Sequence, residues 1–212
     1  TGVHIGGTDF DQLLNLRHVM PLLGLGHVGP HGRSMPSSLF HALSTWHLVP
    51  QCYTRKSLHD AAQLRSDYTE PTLHKRLMHV LHERQGHRIL AHTEAAKIEC
   101  SNTRTDAQIA LDCIERGLGV PLTPAGLDAT LQAQVASIVA CAQACVARSG
   151  VPANRLQALY LTGGSSALAP LGVALGEAFP GAQLVTGDRL GSVAAGLAYG
   201  GAAVGRAMAV ES

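Results

Sequence analysis

The clearest pattern along the chain is the stretch "TPAGLDATLQAQVASIVACAQACVARSG". Leu127, Leu131, Val135, Ile138, Val139, Ala142 and Val146 recur at helical spacing, so one stripe of a long helix is apolar. Thr123 can cap its start, Pro124 suits its first turn and Gly150 stops it. A second periodic stretch, "EPTLHKRLMHVLHERQ", puts Leu73, Leu77, Val80 and Leu81 on one face and predicts a helix over 71–85. Another helix is expected over roughly 88–100. "HIGGTDFDQLLNL" opens on two glycines and then places Phe10, Leu13, Leu14 and Leu16. Thr8 or Asp9 is expected to cap a short helix there.

Weaker patterns fill the intervals. "DAQIALDCI", residues 106–114, alternates loosely and predicts a strand, and 117–121 reads as a turn and short strand. After the long helix the pattern predicts a strand over 156–161, a helix over 166–178 and a short strand at 183–185. A last helix is expected in "GDRLGSVAAGLAYGGAAVGRAMA", whose small residues permit close packing. Between residues 21 and 60 the pattern fades. "LGLGHVGPHGRSMPSS" is a loop by its Gly, Pro and Ser content, while "SLFHALSTWHLV" fits strand or helix. From Thr123 onward strands and helices alternate in the α/β manner, and the first half is more irregular and largely helical. A subdomain boundary is expected near 121–124, and no internal repeat is visible.

Composition narrows the class. The chain has 212 residues, 46% of them hydrophobic, which suits one or two folded domains. The net charge of +1, without a long run of one sign, argues against a nucleic-acid partner and against a membrane-surface protein. Aromatic residues make up only 4%, too few for base-stacking platforms. No apolar run reads as long enough to span a bilayer, and no signal peptide is evident. Cys52, Cys100, Cys113, Cys141 and Cys145 form no CxxC pair, and their odd number fits reduced thiols and a cytoplasmic location. Cys141 and Cys145 stand one turn apart and read as small packing residues. The chain starts at Thr1, inside a motif, and reads as a piece of a longer protein.

Two short segments carry candidate chemistry. In "ALYLTGGSSAL" an apolar run meets Gly163 and Gly164, and Ser165 or Ser166 can cap the helix that follows. Such a bend is either a plain tight turn or a place where a ligand approaches bare backbone beyond the end of a strand. In "AHTEAAKIECS", Glu94, Lys97 and Ser101 are spaced by three and four. At about 100° per residue they occupy a sector of roughly 60° on one helix face. That row of acceptor, cation and hydroxyl suits a ribose and the polar edge of a base, or else is a solvated face with a Glu–Lys pair. Among twelve histidines, His79 and His82 are i,i+3 neighbours directed away from the apolar stripe. Without an HExxH pattern or a cysteine pair they read as exposed, and no metal ligand is assigned. "GGSS" is not the GxSxG nucleophile elbow.

The order "HIGGTDFD", "EAAKIECS", "LYLTGGSS", "GDRLGSVAAGLAYGGA" resembles the ATPase domain of the 70-kDa heat-shock protein (DnaK-type) chaperones. "LRHVMPLLGLG" makes it most similar to the bacterial YegD-like branch. The resemblance implies lobe II of an actin-like (ribonuclease H-like) ATPase fold, an α/β mixed sheet with flanking helices plus a smaller, mostly helical subdomain. Residues 1–121 would be the outer subdomain and 122–212 the inner one, its upstream strands missing. It implies ATP or ADP with Mg²⁺ as cofactor of the full-length protein. Glu94, Lys97 and Ser101 would contact adenosine, Gly163, Gly164 and Ser165 would support adenine and the α-phosphate side, and Asp188 would lie near the base. Gly6 and Gly7 match a glycine pair at the foot of the outer subdomain. Ile98 stands where the family usually has an adenine-stacking arginine, so a cation–π share of about 0.5–2 kcal/mol is forgone. Ala167 and Leu168 stand where another arginine is usual, with Pro170 shifted by one.

Both phosphate loops, the catalytic lysine and the Mg²⁺-holding carboxylates of that family are absent from this sequence. Phosphoryl transfer depends on those groups, so this stretch is not expected to hydrolyse ATP alone or to bind nucleotide tightly. The implied partners are the missing lobe I, unfolded clients and co-chaperones. Two other readings stay open: an actin-like sugar kinase or filament relative, and a degenerate module that binds partners and no nucleotide.

Overall fold

The computed structural model describes residues 2–30 and 32–186. Helices dominate, at 62%, and two small sheets complete a mixed α/β architecture. The chain divides into two compact units, one spanning His4–Gln134 and a second that joins residues 1–3 to the part from Val135 onward.

In the first unit, α1 (Gly7–Leu14) runs into a π-helical turn over Asn15–Val19 and a 3₁₀ turn over Met20–Leu23. The N-cap of α1 is Gly6, not Thr8 or Asp9 as the composition suggests. Asp9 acts from the third helical position, its Oδ2 accepting the Gly6 N–H at 2.7 Å. That reach back from the first turn is the carboxylate half of a capping box. After a loop come α2 (Ser38–Leu43), a 3₁₀ turn at Val49–Tyr53 and α3 (Arg55–Gln63). The loop is anchored at Gly24, whose φ of +114° and proximity to the Tyr68 ring leave no room for a side chain. The Tyr68 hydroxyl donates to the Leu23 carbonyl at 2.8 Å, and burial pushes that phenol up to about 12.

Helix α4 (Pro71–His82) buries Leu77, Val80 and Leu81 as its periodicity implies. His74, rather than half-buried Leu73, completes the buried face, because its ring packs on Tyr68 and its Nε2 lies 3.1 Å from the Ala61 carbonyl. Helix α5 (Gly86–Thr103) follows, then β1 (Ala107–Ala110) and β2 (Gly119–Leu122), paired antiparallel with Ala107 opposite Leu122. The strand expected over 106–114 stops at Ala110. Asp112 Oδ1 accepts the Gly117 N–H at 2.8 Å and Gly117 takes φ +76°, so the chain turns instead of extending. Phe10, Leu14, Phe40, Leu77, Ile89 and Leu122 are among the fully buried side chains of this unit's core.

Helix α6 (Pro124–Ser149) starts where the sequence places it. Thr123 Oγ1 accepts the Gly126 N–H at 3.0 Å, and Gly150 ends the helix at φ +72°. Leu127, Leu131 and Val135 are buried, while Ile138, Val139, Ala142 and Val146 are half-buried. Cys141 is half-buried and Cys145 exposed, so Cys145 is not the packing residue its spacing implies. Contrary to the expectation that no run is long enough, α6 is long and apolar enough to cross a membrane by length and composition. Core helices of water-soluble proteins meet the same criterion.

In the second unit, β3 (Ala158–Leu161) pairs in parallel with β4 (Gln183–Thr186) across α7 (Ala169–Ala178). This is a β–α–β unit. Leu171, Leu175 and Phe179 are buried there. Helix α7 begins three residues later than expected, after a 3₁₀ turn over Gly164–Ala167, and no serine side chain caps it. The expected final helix and Asp188 lie outside the described residues.

Candidate functional site

Packing decides which way the polar residues of α1 point. Phe10 and Leu14 are fully buried, so the same side of α1 carries Asp11 inward, where it is only 8% exposed. The π-helical turn that follows buries Asn15 completely. Asn15 Nδ2 donates to Ser44 Oγ at 3.1 Å, while its Oδ1 is buried with no partner among the described residues. Gln12 Nε2, one step round the helix, donates to Thr45 Oγ1 at 2.7 Å.

Helix α5 presents its polar row to this surface. Ile89, Leu90, Ala96 and Cys100 bury its apolar side, and Thr93 folds its hydroxyl back onto the Ile89 carbonyl at 3.0 Å. Lys97 and Ser101 are buried as well, so the row read from sequence is not a solvated face. Lys97 Nζ lies 2.7 Å from Asp11 Oδ1, with both side chains 11% exposed. This ion pair joins the motif "HIGGTDFD" to the motif "EAAKIECS", 86 residues apart in sequence. Burial pushes the Asp11 carboxyl above its ordinary range; the hydrogen bond and charge of Lys97 pull it back, and the Glu94 carboxylate pushes it up again.

Glu94 and Ile98 lie one turn apart on the exposed edge of this row. Ile98 is 49% exposed, unusual for an isoleucine in the middle of a helix. The strip thus exposes a carboxylate and an apolar surface beside a lysine whose ammonium is buried against Asp11. Chemically, Glu94 can accept from a hydroxylated ligand whose flat part rests on Ile98.

Gly6 caps α1 and Gly7 opens it, in the same unit as the Glu94–Lys97–Ser101 row. Gly163, Gly164 and Ser165 belong to the second unit. Gly163 takes φ +86° and ψ 162°, a region essentially reserved for glycine. Ser166 holds the bend by donating its hydroxyl to the Gly163 carbonyl at 2.6 Å. A Cβ at Gly163 or Gly164 would meet no described residue within 4 Å.

Asp11 and Asn15 escape the sequence reading, although a signal exists. Each is a polar residue on a helical face that also carries Phe10 and Leu14. His79 is tied to the Cys113 carbonyl at 3.2 Å, and no three His, Cys, Asp or Glu side chains among the described residues are grouped to hold a metal. A hollow of about 310 Å³ beside α2 and α3, lined by Leu39, Ala42, Cys52, Ala61 and Leu64, includes none of the site residues read from sequence. Its thiol, Cys52, is pushed up to about 11 by burial and is a poor nucleophile. No family model matches the chain, and no solved structure matches it.

Proposed function

We propose that the chain is the adenosine-side half of a nucleotide-binding ATPase of the heat-shock-chaperone kind, with an actin-like lobe II fold. Phosphate loops and Mg²⁺-holding carboxylates would be supplied by other parts of the full-length protein. The observation that carries this reading is the buried Lys97–Asp11 contact at 2.7 Å, which fixes the motif lysine beside accessible Glu94. A nucleoside needs that combination: hydrogen-bond donors and acceptors at fixed positions for sugar hydroxyls, and an apolar surface for the base. In this reading the chain alone binds nucleotide weakly and hydrolyses none, and the full-length protein acts in the cytoplasm on unfolded clients with co-chaperones.

Calorimetric titration of the full-length protein with ADP and Mg²⁺ tests it. Saturable heat is expected, reduced by Glu94→Ala with the melting temperature unchanged. Absence of heat at high micromolar nucleotide overturns the reading. It would then favour a module that binds protein partners, for which the exposed Ile98 is the motivating observation.

A further inference from the structure

We propose that Cys141 and Cys145 on α6 form a two-thiolate site for a soft monovalent metal ion, copper(I). The proposal is independent of the nucleotide reading. Both residues lie within the helix Pro124–Ser149, four positions apart. At 3.6 residues per turn they stand about 40° apart around the helix axis, with Cβ atoms about 5–6 Å apart. Both are free thiols, Cys141 half-buried and Cys145 exposed. Cys52, Cys100 and Cys113 are buried, so among the cysteines only the α6 pair meets solvent. The flanking residues Ala140, Ala142 and Ala144 carry no side chain long enough to cover a sulfur.

Spacing decides between the two things a thiol pair can do. A disulfide needs Cβ atoms about 3.5–4.5 Å apart. One helical turn holds them farther apart, so closing that bond would distort α6. A metal ion in line between two sulfurs, about 2.3 Å from each, sets the sulfurs about 4.6 Å apart. Staggered χ1 rotamers reach that separation from Cβ atoms at helical spacing. Softness and ligand number then choose the ion. Thiolates select copper(I) and Zn²⁺ over harder cations. Zn²⁺ takes four ligands in structural sites, whereas copper(I) is satisfied by two thiolates. Among the described residues no third His, Cys, Asp or Glu is grouped with the pair, which favours copper(I). Each thiol releases its proton to solvent as the ion binds, and the complex carries one net negative charge. Arg148, three positions beyond Cys145, brings a compensating cation to the same side of the helix.

The test titrates the reduced full-length protein with copper(I), without oxygen, in competition with the coloured copper(I) chelator bicinchoninate. The wild type should withdraw one more ion per chain than the double variant Cys141→Ser/Cys145→Ser. Either single substitution should weaken that site by about a hundredfold or more, because losing one thiolate removes the chelate gain. Cys145 is exposed, so Cys145→Ser should leave the melting temperature unchanged and keeps the test decisive even if Cys141→Ser lowers it. Rescue probes the geometry. With Cys145→Ser in place, Ala144→Cys returns a thiol three positions from Cys141 and should restore uptake. Gln143→Cys, two positions away on the other side of the helix, should not. Equal uptake by the wild type and the double variant overturns the proposal, as does equal rescue at both positions. Zn²⁺ at equal concentration should leave the copper in place, and its displacement overturns the choice of ion and the proposal with it.

Discussion

Gly163 and Gly164 are neighbours under different constraints. Gly163 sits at φ +86° and ψ 162°, where any L side chain is strained whatever the space around it. Gly164 has no positive φ, and no described residue lies where its side chain would go. Gly163→Ala should therefore cost about 1–3 kcal/mol, and Gly164→Ala should stay within about 0.5 kcal/mol. Thermal melts of the two variants check this, and equal losses would contradict it. If Gly164 also approaches a ligand, Gly164→Val should weaken ADP binding in the full-length protein without lowering the melting temperature. The Lys97–Asp11 pair gives a second residue-scale expectation. Lys97→Met strands a buried carboxylate and should cost about 3–5 kcal/mol, whereas adding Asp11→Leu in the same chain should recover most of the loss. Denaturant melts of the single and double variants make that comparison. A double variant no better than the single would mean that the two residues do not act as a pair.

At the scale of elements, helices with a continuous apolar stripe or a capping signal are legible in the sequence. Thr123, Pro124 and Gly150 bound α6 as expected, and Leu77, Val80 and Leu81 fix the face of α4. Helix α3 goes unseen because the apolar stripe of "RKSLHDAAQ" is only Leu58, Ala61 and Ala62; among its residues only Ala61 is buried, and Thr54 holds its start by accepting the Ser57 N–H at 3.2 Å. The site is half legible for a similar reason. Spacing groups Glu94, Lys97 and Ser101 on one face, yet says nothing about which side of that face turns inward. Asp11 decides it, from another helix. The junction of the π-helical turn with α6 gives a pH expectation. His18, with Nε2 3.3 Å from Thr130 Oγ1, has its pKa lowered below 6.5, first by burial and then by Arg17. The fold therefore favours the neutral ring. Its contribution to stability is complete above pH 6.5 and is lost as pH falls through the lowered folded value. The melting temperature should drop over that window, and His18→Gln should flatten the drop. A profile unaffected by His18→Gln would show that other groups set the acid response.

At the scale of the molecule, the described residues of the two units bury side chains unequally. Among the described residues, the largest fully buried side chains, from Phe10 and Phe40 to Leu111 and Leu122, all fall within His4–Gln134. In the second unit the described buried side chains are fewer, chiefly Leu168, Leu171, Leu175 and Phe179, and its sheet has two described strands. Tyr160 on β3 is 75% exposed and Val173 on α7 is 61% exposed. Burial of apolar area is the main favourable term in folding, at about 25 cal/mol per Å², so the local stability of the two units should differ. Among the described residues no side chain of β3 or β4 is fully buried, so these strands should be the weakest part of the described core. Native-state hydrogen exchange reads this directly, because opening free energies vary along a chain with local burial. Amides of α1, α4 and α5 should be the best protected, exchanging only in the largest opening event, while those of β3, β4 and α7 should exchange through a smaller one. If ADP with Mg²⁺ binds at the Gly163–Gly164 bend, it should slow exchange in β3 and α7 more than in α4, because ligand binding raises the cost of openings that destroy its site. Uniform protection across both units would refute the packing argument. Unequal protection unmoved by nucleotide would leave that argument standing and remove the glycine bend from the ligand's surroundings.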